Sequence, residues 1–139
     1  MSLVRVERAG AVARVVLCRA AMHNALVPEL LADLLAALAQ LRDDAGCRAV
    51  VLAAEGPAFS IGGDMRRFHR EGERGDLRAY GEKLVGQLNE SILALIALPQ
   101  PVGAAVHGIV TGGASGLVLA ADIVLLAPQA VFKAHYGTA

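Results

Sequence analysis

The sequence has no excess of charge of either sign, because thirteen Lys and Arg residues balance thirteen Asp and Glu residues. Without a basic excess, it offers no face typical of proteins that bind nucleic acid or anionic lipid. Cysteine is also scarce. Cys18 and Cys47 have no metal-ligand spacing and need not pair, so we expect two buried thiols in a reducing compartment. No pair of His, Asp or Glu residues has the spacing of a metal site.

Long apolar runs are absent as well. The longest, near residues 116–128, is interrupted by Asp122 and is too short to cross a bilayer. Residues 1–8 alternate apolar and charged side chains and lack the three regions of a secretory signal peptide. We therefore expect a cytoplasmic protein with no membrane, nucleic-acid or metal partner.

The sequence does contain abundant apolar material, since 55% of its residues are hydrophobic and the mean hydropathy is +0.51. That is enough to bury the core of one globular domain. Runs of β-branched and apolar residues predict an opening hairpin and then parallel strands, the last of them buried. The predicted strands cover residues 3–8, 12–18, 48–54, 102–106 and 123–127.

Helical periodicity separates these strands. Pro28 stands at a typical first helical position, and leucines at three- and four-residue steps predict a helix that ends near residues 44–46. Residues 65–75 are polar and basic, which indicates a short helix followed by a mobile loop. Further helices are predicted over residues 77–95 and 114–121. The alternation of strands and helices predicts an α/β fold with parallel pairing.

Two glycine clusters each follow an apolar strand and precede a helix. The first contains Gly62 and Gly63, and the second, a glycine-rich turn over residues 108–116, contains Gly112 and Gly113. Glycine in such turns permits positive φ and lets backbone N–H groups approach a ligand closely. Two turns brought together would offer two N–H donors to one developing oxyanion. The plainer interpretation is that Gly112 and Gly113 only permit tight packing between helix and strand. The spacing alone favours neither the oxyanion site nor this packing role.

Three sequence signatures occur in order along the chain. They are Asn24-Ala25-Leu26, then residues 58–64 reading AFSIGGD, and then residues 106–114 reading VHGIVTGGA, with residues 119–123 reading LAADI after them. Together they resemble the signatures of the enoyl-CoA hydratase/isomerase (crotonase) family, at the family's spacing. The resemblance implies a crotonase-like spiral of ββα repeats. Residues 1–139 would be its N-terminal part, without the family's C-terminal helical region, which forms trimers and part of the acyl pocket.

The resemblance also implies where a substrate would bind. The backbone N–H groups of Gly63 and Gly113 would hold a thioester carbonyl, and Met65 and Phe68 would border the acyl pocket. Coenzyme A would enter as part of the substrate, with no permanently bound cofactor. A complete family member would assemble as a homo-trimer or hexamer. The residues implied to bind substrate are Asn24, Ala25, Leu26, Ser60, Ile61, Gly62, Asp64, Met65, Phe68, Ile109, Thr111 and Gly112.

The sequence departs from the family pattern at both glutamates that hydratases use. Gly116 stands where the first would activate water, and Tyr136 stands where the second would move the α-proton. Tyrosine, with an ordinary pKa of about 10, is a poor base at neutral pH. We therefore expect double-bond isomerisation rather than water addition, with Tyr136 as a weak candidate for the proton carrier. The 139-residue chain by itself is expected to turn over neither a 2-enoyl-CoA nor a 3-enoyl-CoA.

Other interpretations remain open. Ser115 follows the second glycine pair and His135 lies in the next strand-like segment, which resembles the nucleophile and base of the Clp protease family. That family shares the spiral fold. Alternatively, the chain is a non-catalytic truncated remnant that keeps an interaction surface but no chemistry. Asp64, in contrast, is expected to cap the helix that follows it rather than to act as a catalyst.

Overall fold

The computed structural model describes residues 1–134. The strands are β1 (Val4–Ala9), β2 (Val12–Leu17), β3 (Ala49–Ala54), β4 (Val102–Val106), β5 (Ile109–Thr111), β6 (Ile123–Leu126) and β7 (Val131–Lys133). The α-helices are α1 (Pro28–Arg42), α2 (Met65–Glu73), α3 (Leu77–Ala97) and α4 (Ala114–Leu119), and a 3-10 helix covers Ala20–Met22.

Five strands form one sheet in the order β1-β2-β3-β4-β6. β1 and β2 pair antiparallel through a turn at Gly10, so that Val4 lies opposite Leu17. The pairs β2–β3, β3–β4 and β4–β6 are parallel, which confirms the predicted pairing. Because β3 and β4 run in the same direction, their carboxyl ends lie at the same end of the sheet. Both glycine clusters follow the strands at that end.

The core lies between this sheet and the helices. Alternate side chains of β2, β3 and β4 are buried in one hydrophobic cluster with the leucines of α1. Pro28 begins α1, where its missing N–H costs no helical hydrogen bond. The buried face of α1 consists of Leu30, Leu31, Leu34, Ala37, Leu38 and Leu41. Each fully buried leucine contributes about 1.5–3 kcal/mol, so this face fixes α1 on the sheet, and α3 packs on α1.

The predicted turn over residues 108–116 is wrong in one respect. It contains the short strand β5, which pairs in parallel with β7 to form a second sheet. Strands of three residues carry too few positions to show a period of two, so neither strand gave a clear sequence signal.

The final strand of the main sheet is also not buried as predicted. Ile123, Leu125 and Leu126 of β6 are exposed by 63, 67 and 55%. The reason is topological, because β6 is an edge strand of the sheet in the described chain. An apolar sequence alone does not distinguish an edge strand from a central one.

The boundaries of the helices differ slightly from the prediction. α1 ends at Arg42 and α4 at Leu119, each before its predicted end. The mobile loop predicted after α2 is not present, because Gly75, with a φ of 79°, turns the chain directly into α3. Among the helices of residues 1–134, none combines the length and apolarity needed to cross a membrane.

Candidate functional site

The first glycine cluster is held against β5. The backbone N–H of Ser60 donates to the carbonyl of Ile109 at 3.2 Å, and the N–H of Thr111 donates to the carbonyl of Ser60 at 3.1 Å. The hydroxyl of Thr111 also donates to the carbonyl of Ile61. These three bonds tie the loop after β3 to the strand after β4, so both glycine clusters lie at one place in the fold.

The other side of the first cluster is held by the segment before α1. Leu26 donates its N–H to the carbonyl of Gly62 at 2.7 Å, and Asp64 donates its N–H to the carbonyl of Leu26 at 3.1 Å. Leu26 and Gly63 therefore lie side by side as parallel strands do. All three sequence signatures meet in this small layer.

The first glycine of each pair has the unusual backbone conformation. Gly62 has a φ of 79° and Gly112 has a φ of 54°, values that residues other than glycine rarely adopt. A methyl group on Gly62 would also lie 2.8 Å from the carbonyl oxygen of Thr111. A larger residue at Gly62 would therefore push the two turns apart.

The second glycine of each pair has a different physical reason. Gly113 has a φ of −60°, which any residue adopts, so freedom in φ does not explain it. A methyl group on Gly113 would lie 2.7 Å from Leu88 Cδ2, and one on Gly63 would lie 3.0 Å from Phe68 Cε2. Leu88 Cδ2 is the far end of a flexible side chain, so a small residue at Gly113 would require Leu88 to shift.

The backbone N–H groups of Gly63 and Gly113 have no hydrogen-bond acceptor among residues 1–134. The C=O and N–H of a trans peptide point in opposite directions. Since the carbonyl of Gly62 faces Leu26, the N–H of Gly63 faces away from Leu26, toward the side of β5. Most buried backbone N–H groups in folded proteins donate to a protein or water acceptor. In residues 1–134 the N–H groups of Gly63 and Gly113 depart from this pattern and are free to donate to a ligand atom.

At Gly113 the same rule applies. The carbonyl of Gly112 accepts from the N–H of Ser115 at 3.1 Å, so the N–H of Gly113 points away from that bond. Gly113 stands at the N-terminal cap position of α4. First-turn N–H groups of a helix lack an intrahelical partner and carry partial positive charge, which suits them to an anionic ligand atom.

Asn24 supports this layer from within the protein. The side-chain amide of Asn24 donates to the backbone carbonyls of Glu55 and Ala58 at 2.9 and 3.0 Å. The Ser60 hydroxyl donates to the backbone carbonyl of Asn24 at 2.7 Å. Asn24 has a φ of 52°, a left-handed conformation that asparagine tolerates better than most residues. Asn24 and Ser60 are fully buried. Their polar side-chain atoms bond to protein, and neither residue exposes surface to a substrate in the described part of the chain.

Asp64 caps α2, as predicted. Its carboxylate accepts from the N–H groups of Arg66 and Arg67 at 3.1 Å each. The Arg19 guanidinium also donates to it at 2.9 Å. Burial acts to raise the pKa of Asp64, but the bonds from Arg19 and the two N–H groups outweigh it and hold the pKa below its ordinary value. Asp64 is therefore a charged structural anchor.

Gly63 lines a cleft of about 290 Å³. Its other lining residues are Ala21, Met22, His23, Ala25, Ile61, Asp64, Met65 and Arg66. An apolar groove of about 620 Å³ shares Met65 with this cleft and is lined further by Phe68, His69, Gly72, Glu73 and Leu77. Six of the predicted residues line these openings: Ala25, Ile61, Gly63, Asp64, Met65 and Phe68. The predicted residues that line neither opening are Asn24, Leu26, Ser60, Gly62, Ile109, Thr111, Gly112 and Gly113.

The positions of the two hydratase glutamates are only partly described. Gly116 lies in α4, and a methyl group on it would lie 2.8 Å from Ile92 Cδ1, so an apolar side chain fills that space. Ser115 is half-buried beside it. Tyr136 and His135 lie outside the described residues, so the proton carrier and the peptidase pair stay predictions. Within residues 1–134, no group of three or more His, Cys, Asp or Glu side chains is arranged to hold a metal ion.

Comparisons with known proteins identify relatives of the chain. The chain is 39% identical over 128 residues to a putative enoyl-CoA hydratase of Thermus thermophilus, a match that covers 92% of the chain and 49% of that protein. It is 30% identical over 129 residues to 4-chlorobenzoyl coenzyme A dehalogenase-2 of an Arthrobacter species, covering 93% of the chain and 46% of that protein. The chain thus spans about half the length of the curated relatives it matches.

A solved structure from Pseudomonas aeruginosa superposes on the whole chain with a TM-score of 0.93 and 33% sequence identity, and the match covers 59% of that structure. The fold is therefore a crotonase fold, present in part, which confirms the predicted fold class. A family model for enoyl-CoA hydratase/isomerase matches residues 7–137. The chain belongs to the enoyl-CoA hydratase/isomerase family.

Sequence reasoning missed the side chains that support the site. Arg19 carries no motif, yet it bonds to the carbonyl of Ala25 and to Asp64 and so links two signatures. Leu88 and Ile92 looked like ordinary core residues of α3, and only the three-dimensional packing brings them to Gly113 and Gly116. No local sequence signal could have identified them.

Proposed function

We propose that this protein binds acyl-CoA thioesters and stabilises their enolates with the backbone N–H groups of Gly63 and Gly113. The observation that carries the proposal is the direct contact of the two glycine turns, in which a methyl group on Gly62 would lie 2.8 Å from the carbonyl oxygen of Thr111. Each turn then supplies one N–H group that no described residue accepts from. Family membership and relatives named for coenzyme A thioesters support this assignment.

Two such donors act where negative charge develops. When an α-proton leaves a thioester, the carbonyl oxygen becomes an enolate oxygen, and fixed donors stabilise that state more than the neutral carbonyl. Loss of one donor of this kind typically lowers kcat by about 10²–10³-fold. The layer formed by Leu26, the first glycine cluster and β5 holds the donors in place before substrate arrives.

The coenzyme A moiety would follow the cleft beside Gly63. Ala25 and Ile61 line that cleft, and Arg66, which also lines it, offers positive charge to the phosphates. Coenzyme A is therefore part of the substrate in this proposal, and no further cofactor enters the reaction.

The chemistry favoured by the sequence is isomerisation of an enoyl-CoA. Water addition requires a base that activates water, and Gly116 supplies no carboxylate. A double-bond shift requires only one group that carries a proton between two carbons while the enolate is held. Tyr136 is one candidate for that group, and a residue of a longer protein is another. We further propose a cytoplasmic homo-trimer or hexamer as the working form.

The test uses the longest form of the protein that its gene encodes. It is offered a 2-enoyl-CoA and a 3-enoyl-CoA, and water addition and isomerisation are followed separately. Isomerisation without rapid hydration is expected, and rapid hydration of the 2-enoyl substrate would refute the isomerase assignment. The Gly113→Val variant should lower activity and acyl-CoA binding, because its branched side chain requires Leu88 to shift and crowds the turn that carries the donor.

A further inference from the structure

Arg19 connects two of the three sequence signatures through its guanidinium group. Its Nη1 donates to the carbonyl of Ala25 at 2.9 Å, and its Nη2 donates to the carboxylate of Asp64, also at 2.9 Å. The side chain of Arg19 is only 18% exposed, so both contacts are largely shielded from water. The backbone of Arg19 is held as well, because its N–H donates to Asn24 Oδ1 at 2.8 Å. The guanidinium therefore has a fixed position.

The bond from Arg19 to Ala25 is the first in a chain of hydrogen bonds. The peptide group between Ala25 and Leu26 accepts the bond from Arg19 at its carbonyl. Its N–H, on Leu26, donates to the carbonyl of Gly62 at 2.7 Å. That carbonyl belongs to the peptide group whose N–H is on Gly63, the proposed donor to the thioester. Two peptide groups thus connect the guanidinium of Arg19 to the N–H of Gly63.

This chain transmits charge along its length. The C=O and N–H of a trans peptide point in opposite directions, so each peptide group accepts on one side and donates on the other. Hydrogen bonds arranged in a chain polarise and strengthen one another. A bond that begins at a charged group is also stronger than one between neutral groups. The positive charge of Arg19 at one end therefore makes the N–H of Gly63, at the other end, a stronger donor.

The second contact of Arg19 acts on the carboxylate next to Gly63. Asp64 follows Gly63 directly, and its side chain is only 4% exposed. A negative charge so close would disfavour an enolate, because like charges repel more strongly where water is excluded. The ion pair with Arg19 compensates the charge of Asp64 and so removes much of that repulsion.

We propose that Arg19 is a positioning residue that strengthens the N–H of Gly63 as a donor to the enolate oxygen. This inference rests on the proposed function. Arg19 does not line the cleft beside Gly63, and it acts through two peptide groups and through Asp64. Loss of Arg19 should therefore disfavour a bound enolate more than it disfavours a bound neutral thioester.

The test uses acetoacetyl-CoA as the probe. The α-carbon of this thioester lies between two carbonyl groups, so its proton leaves to water without a catalytic base, and the electron pair of the broken C–H bond becomes that of the enolate. The enolate absorbs near-ultraviolet light that the neutral form does not absorb. The ratio of enolate to neutral probe is measured at one pH with all of the probe bound to the 139-residue chain. This ratio does not depend on how tightly each variant binds.

The decisive variant is Arg19→Met, which keeps a long side chain but removes the charge and both hydrogen bonds. It should lower the ratio of enolate to neutral probe by about tenfold, because the charge at the start of the chain and the compensation of Asp64 are both lost. Arg19→Lys keeps the charge but not the planar fork that reaches two acceptors, and it should lower the ratio by about threefold. The matched control is Arg14→Met, the same exchange at an arginine that is 51% exposed and pairs with Glu7. It should leave the ratio unchanged.

The outcomes separate this inference from the proposed function. A ratio in Arg19→Met equal to that of the original chain, with binding intact, would overturn the role of Arg19 and leave the proposed function standing. If thermal unfolding shows that Arg19→Met is not folded, Arg19→Lys decides, and an unchanged ratio in that variant would overturn the role. A fall in Arg14→Met as large as that in Arg19→Met would also overturn it. An original chain that does not bind the probe, or that does not raise its ratio above that of the free probe, would overturn both proposals.

Discussion

Arg19 and Asp64 form an ion pair beside the candidate site, with 2.9 Å between Arg19 Nη2 and Asp64 Oδ2. Both side chains are largely removed from solvent, with 18 and 4% exposure. Arg19 also bonds to the carbonyl of Ala25, while Asp64 caps α2. One pair of side chains thus fixes the first signature relative to the helix that follows the first glycine cluster.

This ion pair predicts a pH dependence of stability. The folded-state pKa of Asp64 lies below its unfolded value, so the stabilisation is complete above an unfolded pKa of about 3.9 and is lost as the pH falls through the lower folded pKa. Urea unfolding should show Asp64→Ala less stable by about 2–3 kcal/mol at neutral pH. Asp64→Asn, which keeps a capping oxygen, should lose less of the free energy of unfolding, and its stability should fall less as the pH is lowered below about 4. A fall in stability as steep as that of the original chain would contradict this role.

The hydroxyl of Thr111 provides a second prediction. It joins the two glycine turns through the carbonyl of Ile61 and is nearly buried. Thr111→Val keeps the shape but leaves that carbonyl unpaired, so the free energy of unfolding should fall by about 1–2 kcal/mol. Thr111→Ser, which retains the hydroxyl, is the control and should lose less. Equal losses in the two variants would show that the methyl group matters rather than the hydrogen bond.

Much of the frame could be predicted from the sequence because its periodic patterns are long. The leucines of α1 extend over enough residues to show their period, β3 is a continuous apolar run, and the glycine signatures indicated where the turns lie. β5 and β7 were missed because each has only three residues. The exposure of β6 depends on which strand stands at the edge, which is a property of the whole sheet.

In the candidate site too, some features could be predicted from local sequence and others depend on tertiary packing. The positions of Gly63 and Gly113 follow from local motifs, but the reason for glycine at Gly113 does not. Its φ is ordinary, and the close contact that a side chain there would meet comes from Leu88 on another helix. Contacts between residues distant in sequence are set by tertiary packing, which a single sequence does not display.

The contact between Gly116 and Ile92 predicts energetic coupling. Gly116→Ala alone brings its methyl group within 2.8 Å of Ile92 Cδ1. In an Ile92→Ala background this contact disappears, so the same exchange should be more favourable there by about 0.5–1 kcal/mol. A double-mutant cycle of urea unfolding measures the difference. Additive effects would mean that the two residues do not touch in solution.

The exposed apolar side chains of β6 predict self-association of the 139-residue chain. Ile123 and Leu125 stand two apart on an edge strand and are 63 and 67% exposed. Such edges pair with other chains unless charge or cover prevents it. Light scattering should report species larger than a monomer, and Leu125→Lys should reduce them. The control Gln129→Lys adds the same charge at an exposed polar site and should leave association unchanged, whereas a monomeric original chain would contradict the prediction.

A crystal structure of the protein with bound butyryl-CoA tests most directly whether Gly63 and Gly113 share one thioester oxygen. We expect the thioester oxygen to lie within about 2.7–3.2 Å of both backbone nitrogens, with each N–H directed at it. A thioester oxygen bound elsewhere, or bonded to only one of the two glycines with the other N–H facing a different opening, would contradict it.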